Sequence, residues 1–182
     1  ELFFGDLWCV VWGYGGMRTH FSLLNPTFQK TPQAGVISPR KIFYDRAMSE
    51  VLFVSSSNMG LSRVLEGLLR QAAPGLTVLS AGISIDDDDR GLDEDARRAL
   101  CEVGARCDGD PHQLTPSLAD SADVVIVVGK IDVSDYIAPD VETERWEYDD
   151  PADRGIYGYS RYAELRDFFT LRVNTLAERF AA

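Results

Sequence analysis

Cysteine is scarce in this 182-residue chain: Cys9, Cys101 and Cys107 are all it has. Three thiols make no disulfide framework, so the fold must rest on a packed core, and a reducing, cytoplasmic setting is the expectation. No apolar run approaches the roughly 20 residues that cross a bilayer, which sets aside a membrane-spanning role. Basic residues are in deficit, 18 against 29 acidic ones, for a formal net charge of −11. A phosphate-backbone footprint needs clustered Lys and Arg, so nucleic-acid binding is excluded as the main task. Histidine is limited to His20 and His112, and no CxxC pair occurs. A zinc site therefore lacks its ligands, and neither a metal nor a cofactor is expected. The opening residues have no basic stretch ahead of an apolar one and no small-residue cleavage site, unlike a signal peptide. What is present is an ordinary globular composition, 45% hydrophobic and 26% charged, at a length that suits one domain.

The chain divides near Met48. Residues 1–47 read as an irregular N-terminal extension, broken by Gly13, Gly15, Gly16, Pro26, Pro32 and Pro39. Within it, residues 1–16 are either an appended peptide or a native packing arm. Their aromatic cluster, Phe3, Phe4, Trp8, Trp12 and Tyr14, is expected to pack on a core, a second copy or another protein rather than stay in water. Residues 48–182 form the expected folded domain. Val51-Leu52-Phe53-Val54, Thr77-Val78-Leu79-Ser80, Val124-Val125-Ile126-Val127-Val128 and Arg145-Trp146-Glu147-Tyr148 read as strands. Helical spacing starts near Leu61, covers residues 92–103 and runs over 157–180. In the long last helix Tyr162, Leu165, Phe168, Phe169, Leu171, Leu176 and Phe180 are the expected buried stripe. A helix or turn is expected over 131–136. Strands alternating with helices make an α/β fold.

The first strand ends in a loop of small residues, Ser55-Ser56-Ser57-Asn58-Met59-Gly60, that feeds a helix at Leu61-Ser62. In an open α/β sheet the ligand site lies at the carboxyl ends of the strands. Such a loop can aim successive backbone N–H groups into one concavity, and the helix N-terminus adds partial positive charge. The bland alternative is a turn with serine and asparagine caps.

Val51-Leu52-Phe53-Val54-Ser55-Ser56-Ser57-Asn58-Met59-Gly60-Leu61-Ser62, followed by Glu66-Gly67-Leu68-Leu69-Arg70, resembles the opening of the low-molecular-weight protein tyrosine phosphatase and arsenate reductase family. Three later segments carry the resemblance in order: Ser80-Ala81-Gly82, the stretch from His112-Gln113-Leu114-Thr115 through Ala122-Asp123-Val124-Val125-Ile126-Val127, and Trp146-Glu147-Tyr148-Asp149-Asp150-Pro151-Ala152. The resemblance covers residues 48–182. It implies a three-layer sandwich with a central four-stranded parallel sheet between helices. It also implies Asp150 as the general acid, with Pro151 holding its loop extended and Tyr157 and Tyr159 near the substrate.

Two positions depart from the family pattern of Cys-x5-Arg-Ser. The nucleophilic cysteine falls on Ser55 and the arginine on Leu61. A low-pKa thiolate attacks phosphorus or arsenic while the guanidinium clamps the oxygens in a bidentate way. Serine needs a nearby base, leucine offers no donor, and losing one such stabiliser costs about 3–4 kcal/mol. An alternative frame, Ser57-x5-Arg63, restores an arginine at the right spacing. In the first frame Arg63 is expected to face solvent. Thioredoxin-coupled members place two further cysteines after the third strand, where this chain reads Val128-Gly129-Lys130-Ile131-Asp132. Cys101 reads as a small buried hydrophobe. The four aspartates at 86–89 read as a solvated run, and His112 as structural.

Three functions follow. The favoured one is a degenerate member of this fold, without tyrosine phosphatase or arsenate reductase activity, that binds or transforms a small molecule or anion. Ser55 and Asp150 are its candidate catalytic residues; Ser56, Ser57, Asn58, Met59, Gly60, Leu61, Ser62 and Tyr157 are its candidate ligand-binding residues. Met59 and Leu61 favour a less polar ligand than a phosphate dianion. The others are a non-catalytic interaction module acting through the N-terminal aromatics, and a residual phosphatase using Ser57 and Arg63.

Overall fold

The computed structural model describes residues 49–182 apart from Asp87, Asp89, Arg90 and Ala182. The expectations for residues 1–47, including the aromatic arm, its partner and Cys9, lie outside the described residues, as does part of the aspartate run.

Val51, Leu52, Phe53 and Val54 are all fully buried, so this strand has no solvent face. That is the condition of a central parallel strand covered on both sides. They form the middle of β1 (Glu50–Ser55). It is followed by α1 (Leu61–Ala72), β2 (Thr77–Gly82), α2 (Glu94–Glu102), α3 (Pro116–Ser121), β3 (Val124–Val128), β4 (Thr143–Trp146), a 3-10 turn (Pro151–Arg154) and α4 (Gly158–Ala181). The strands pair in parallel in the order β2-β1-β3-β4. Successive residues of β1 and β3 feed two cores. Val51, Phe53 and Ile126 pack with Leu65, Leu100 and Phe169 of α1, α2 and α4. Leu52, Val54, Val125 and Val127 pack with Leu114, Ala119 and Val133 on the opposite face. The result is the expected α/β three-layer sandwich.

Local chemistry places the helices. Asp93 caps α2 by accepting from the N–H groups of Asp95 and Ala96. Thr115 caps α3 ahead of Pro116, which suits a first helical position. The Glu66-to-Arg70 motif is structural. Arg70 pairs with Glu66 at 2.6 Å and donates to the Val78 carbonyl, tying α1 to β2. A side chain at Gly67 would meet the Arg106 carbonyl at 2.9 Å, so glycine lets that backbone approach α1.

The last strand lies two residues earlier than expected, because β3 pairs Val125 with Thr143 through Val128 with Trp146. Gly129, at φ +84°, then turns the chain, and its N–H donates to the Trp146 carbonyl. Trp146 stacks on Phe169 and meets Phe53 edge-on, both at 5.7 Å between ring centroids, and so joins sheet to α4. β4 is short and mostly exposed, and Arg179 of α4 pairs with Glu142 and Glu144 beside it. At the far margin, Gly82 of β2 exchanges backbone hydrogen bonds with His112 and Leu114. Residues 131–136 give a turn, in which the N–H groups of Tyr136 and Ile137 both reach the Val133 carbonyl.

Two burial expectations need correction. The stripe of α4 is Leu165, Phe169, Val173 and Leu176, spaced by four, four and three, whereas Phe168 and Leu171 point outward, the latter 76% exposed. Cys101 is exposed and Cys107 is the buried thiol, because Ala96, Ala99 and Leu100 define the inward face of α2. Among the described residues, no helix is long and apolar enough to cross a membrane.

Candidate functional site

The loop 55–62 sits at the carboxyl end of β1, between β2 and β3, where the direction of strand addition reverses. Asn58 is its hub. It is fully buried and left-handed at φ +54°, a conformation asparagine tolerates. Its side-chain amide donates to Ser80 Oγ at 2.7 Å and Ser62 Oγ at 3.1 Å, and its Oδ1 accepts from the His112 N–H at 2.8 Å. Ser80 in turn donates to Glu66 at 2.5 Å. Asn58 N–H donates to Ser55 Oγ at 3.2 Å, and the hydroxyls of Ser55 and Ser62 share a 2.7 Å hydrogen bond. The loop is thus held from beneath by a closed polar network. β2 presses on it as well, since a side chain at Gly82 would lie 2.8 Å from the Ser57 carbonyl carbon.

Above this network the loop presents unpaired backbone donors. Among the described residues, the N–H groups of Ser56, Ser57, Met59 and Gly60 meet no acceptor. Gly60 starts α1 without a side-chain cap, and no acidic residue occupies the first turn, so the positive end of the helix faces the loop unneutralised. Ser56 is exposed, and Ser55, Ser57 and Met59 are half-buried. Leu61 is 7% exposed and belongs to the core, so its side chain does not line the loop mouth.

Ser55, the nucleophile position implied by the resemblance, has no base beside it. The hydrogen-bond partners of Ser55 Oγ among the described residues are Ser62 and the Asn58 N–H, neither of which is a base.

Arg63 is not a solvent residue, contrary to expectation. It is 2% exposed and donates to the carbonyls of Gly91, Asp108 and Gly109 at 2.8–3.0 Å, with Cys107 Sγ at 3.5 Å. Loops 91 and 107–109 close over this side of α1, which is why a helical wheel misplaces it. The guanidinium is therefore committed away from loop 55–62, and the Ser57-x5-Arg63 frame loses its clamp. Burial, reinforced by Glu66, pushes the Cys107 thiol up to about 11, so it is no thiolate at neutral pH.

Asp150 is engaged as well. Its carboxylate takes a bidentate pair from Arg161, Nε at 2.7 Å and the terminal nitrogen at 2.6 Å, and accepts from the Ala152 N–H at 3.0 Å. The Arg161 bond holds its carboxyl below the usual range despite partial burial. An acid held ionised this way is a poor proton donor at neutral pH. The folded carboxyl binds its proton less readily than the unfolded one, so the pair stabilises the fold above the ordinary value of 3.8 and the contribution is lost as pH falls below it. The stability difference between wild type and Asp150→Asn, measured by urea unfolding, is expected to be present at pH 6 and to shrink toward zero at pH 3.

Arg161, which the sequence did not single out, and Tyr162, expected only as part of the buried stripe of α4, complete the rim. A side chain at Gly60 would lie 2.5 Å from the Tyr162 hydroxyl, so this ring packs directly on the loop. Arg161 lies over the same ring, its Cζ 5.3 Å from the centroid. Burial and nearby Asp93 push the Tyr162 phenol up, and burial and Asp150 do the same for Tyr148. Beyond Tyr148 a cavity of about 480 Å³ opens among Lys130, Glu147, Asp149 and Phe168. Tyr157 is 69% exposed, and Tyr159 donates to Glu102 of α2, so neither is gathered at the loop.

The chain is similar to an arsenate reductase from Archaeoglobus fulgidus DSM 4304, at 25% identity and a TM-score of 0.58 over 70% of this chain and 98% of that one. It is similar to the tyrosine phosphatase Wzb from Escherichia coli K30 in complex with sulphate, at 23% identity and a TM-score of 0.61 over 72% and 98%. It also resembles a cysteine-to-serine mutant of the YwlE arginine phosphatase with a phosphorylated active-site serine, at 22% identity and a TM-score of 0.56 over 72% and 95%. No family model matches the chain.

Proposed function

From a chain with the fold of the low-molecular-weight tyrosine phosphatases and arsenate reductases, we propose a protein that has lost their turnover and binds a small molecule at loop 55–62. The observation that carries this reading is the state of its proton-transfer groups: Ser55 has no base at hand, and Asp150 is held ionised by Arg161. Each group required for phosphoryl transfer is missing or engaged, while the network under the loop is complete. The two relay cysteines expected of thioredoxin-coupled arsenate reductases have no counterpart at residues 128–132, and Cys107 is buried. Wzb in complex with sulphate and the YwlE mutant with a phosphorylated active-site serine support an oxyanion as a ligand for a chain of this fold.

The test is direct. Hydrolysis of p-nitrophenyl phosphate and reduction of arsenate by the purified chain are expected to stay at the blank rate. Brisk turnover, with Ser55 found phosphorylated by mass spectrometry of the quenched reaction, overturns the reading.

A further inference from the structure

We propose that Arg161 is the ligand-gripping residue of this loop, standing in for the guanidinium absent at Leu61, and that the ligand is a small oxyanion that displaces Asp150 from it. The inference rests on the reading of loop 55–62 as a ligand site and adds the class of ligand.

α1 and α4 carry six arginines, and five of them have fixed duties: Arg172 donates to the Glu147 carbonyl, Arg179 pairs with Glu142 and Glu144, and three more are tied within the fold. Arg63 holds backbone carbonyls, Arg70 ties α1 to β2, and Arg166 is buried against the Ala99 carbonyl and Glu102. Arg161 differs in place and in partner. It lies over Tyr162, and Tyr162 packs on Gly60, so its guanidinium stands at the rim of the loop. Its partner is a carboxylate seated in the fork geometry that also fits phosphate-like oxygens. Asp150 thus occupies the position on the guanidinium that a ligand's oxygens would take.

The Arg161 and Asp150 side chains are 25% and 26% exposed, so solvent reaches both. The pair is bidentate, so it yields only to a partner that presents the same fork of oxygens. Displaced, Asp150 keeps its bond to the Ala152 N–H and remains the cap of its 3-10 turn. The ligand gains the fork of Arg161 together with the unpaired N–H groups of the loop. Apparent affinity is set by the fraction of molecules in which Arg161 is free of Asp150.

Opposite signs for the two partners follow. In isothermal titration of the full chain with inorganic phosphate at pH 7 and low salt, Asp150→Asn is expected to bind about tenfold more tightly than wild type, because the competing charge is gone while asparagine still caps the turn. Arg161→Gln is expected to bind at least tenfold more weakly. Arg161→Lys, which keeps the charge and loses the fork, should fall between, and it gives the reading if the glutamine variant does not fold. Ser56→Asp, which puts a negative charge at the exposed mouth, should abolish binding. If Ser56→Asp abolishes binding while the Asp150 and Arg161 variants titrate like wild type, the loop site stands and the role of Arg161 is overturned. If Ser56→Asp also titrates like wild type, or if wild type and Asp150→Asn bind no phosphate, the loop reading fails and takes this inference with it.

Discussion

Ser55→Cys combined with Leu61→Arg is expected to raise p-nitrophenyl phosphate hydrolysis at least about a thousandfold over wild type. The loop framework that such chemistry needs around these two side chains is in place. Asn58 anchors the loop through Ser62, Ser80 and the His112 N–H, and the α1 N-terminus faces it without a cap. A thiol at 55 would receive the Asn58 N–H that Ser55 now accepts, which favours the thiolate. The guanidinium introduced at 61 would have to leave the core and reach into the loop, so stability should fall somewhat while activity rises. Ser55→Cys alone should gain far less, since nothing then neutralises the equatorial oxygens. A folded double variant that stays silent would show that the loop no longer has a catalytic shape.

Arg63→Ala is expected to cost about 3 kcal/mol or more of unfolding free energy, read from urea denaturation. The substitution orphans the carbonyls of Gly91, Asp108 and Gly109 and opens a void where the side chain is packed at 2% exposure. Arg63→Met fills most of that space without the donors, so it separates lost hydrogen bonds from lost packing. Both variants should retain phosphate binding if they fold. Were Arg63 the anion clamp, the signs would reverse, with binding lost and stability little changed.

The contrast between Arg63 and Arg161 shows what the sequence could and could not disclose. Val51 to Val54 and Val124 to Val128 announce buried strands because an all-apolar run has no solvent face to offer. The small-residue loop and Glu66-Gly67-Leu68-Leu69-Arg70 are legible because the motif is local, and each member acts within a few residues of the next. Arg63 misleads because helical periodicity presumes one wet face, whereas α1 has nine consecutive buried residues from Leu61 to Leu69. The pairing of Asp150 with Arg161 spans eleven residues, a 3-10 turn and the start of a helix. No periodicity encodes that distance; it is set by how Gly155, in the left-handed region, and the residues after it return α4 to the loop. The resemblance implies Tyr157 and Tyr159 near the substrate, yet the helix directs Tyr159 to Glu102 of α2. In α4 the aromatic content at 168 and 169 hides the stripe, since only one of two adjacent rings can face the core.

The two margins of the sheet bear on how safely such a protein can be made in quantity. Unpaired strand edges invite the strands of other molecules and seed fibrous precipitates. β4 offers only four residues to such an intruder, with Glu144 and Arg145 among them, and the Arg179 bridges place further charge alongside. At the opposite margin, the His112-to-Leu114 segment occupies the end of β2. The β4 rim therefore offers no long, bare, apolar strand for templated growth, while at β2 the His112-to-Leu114 segment and the Arg70 side chain on the Val78 carbonyl take up part of the edge.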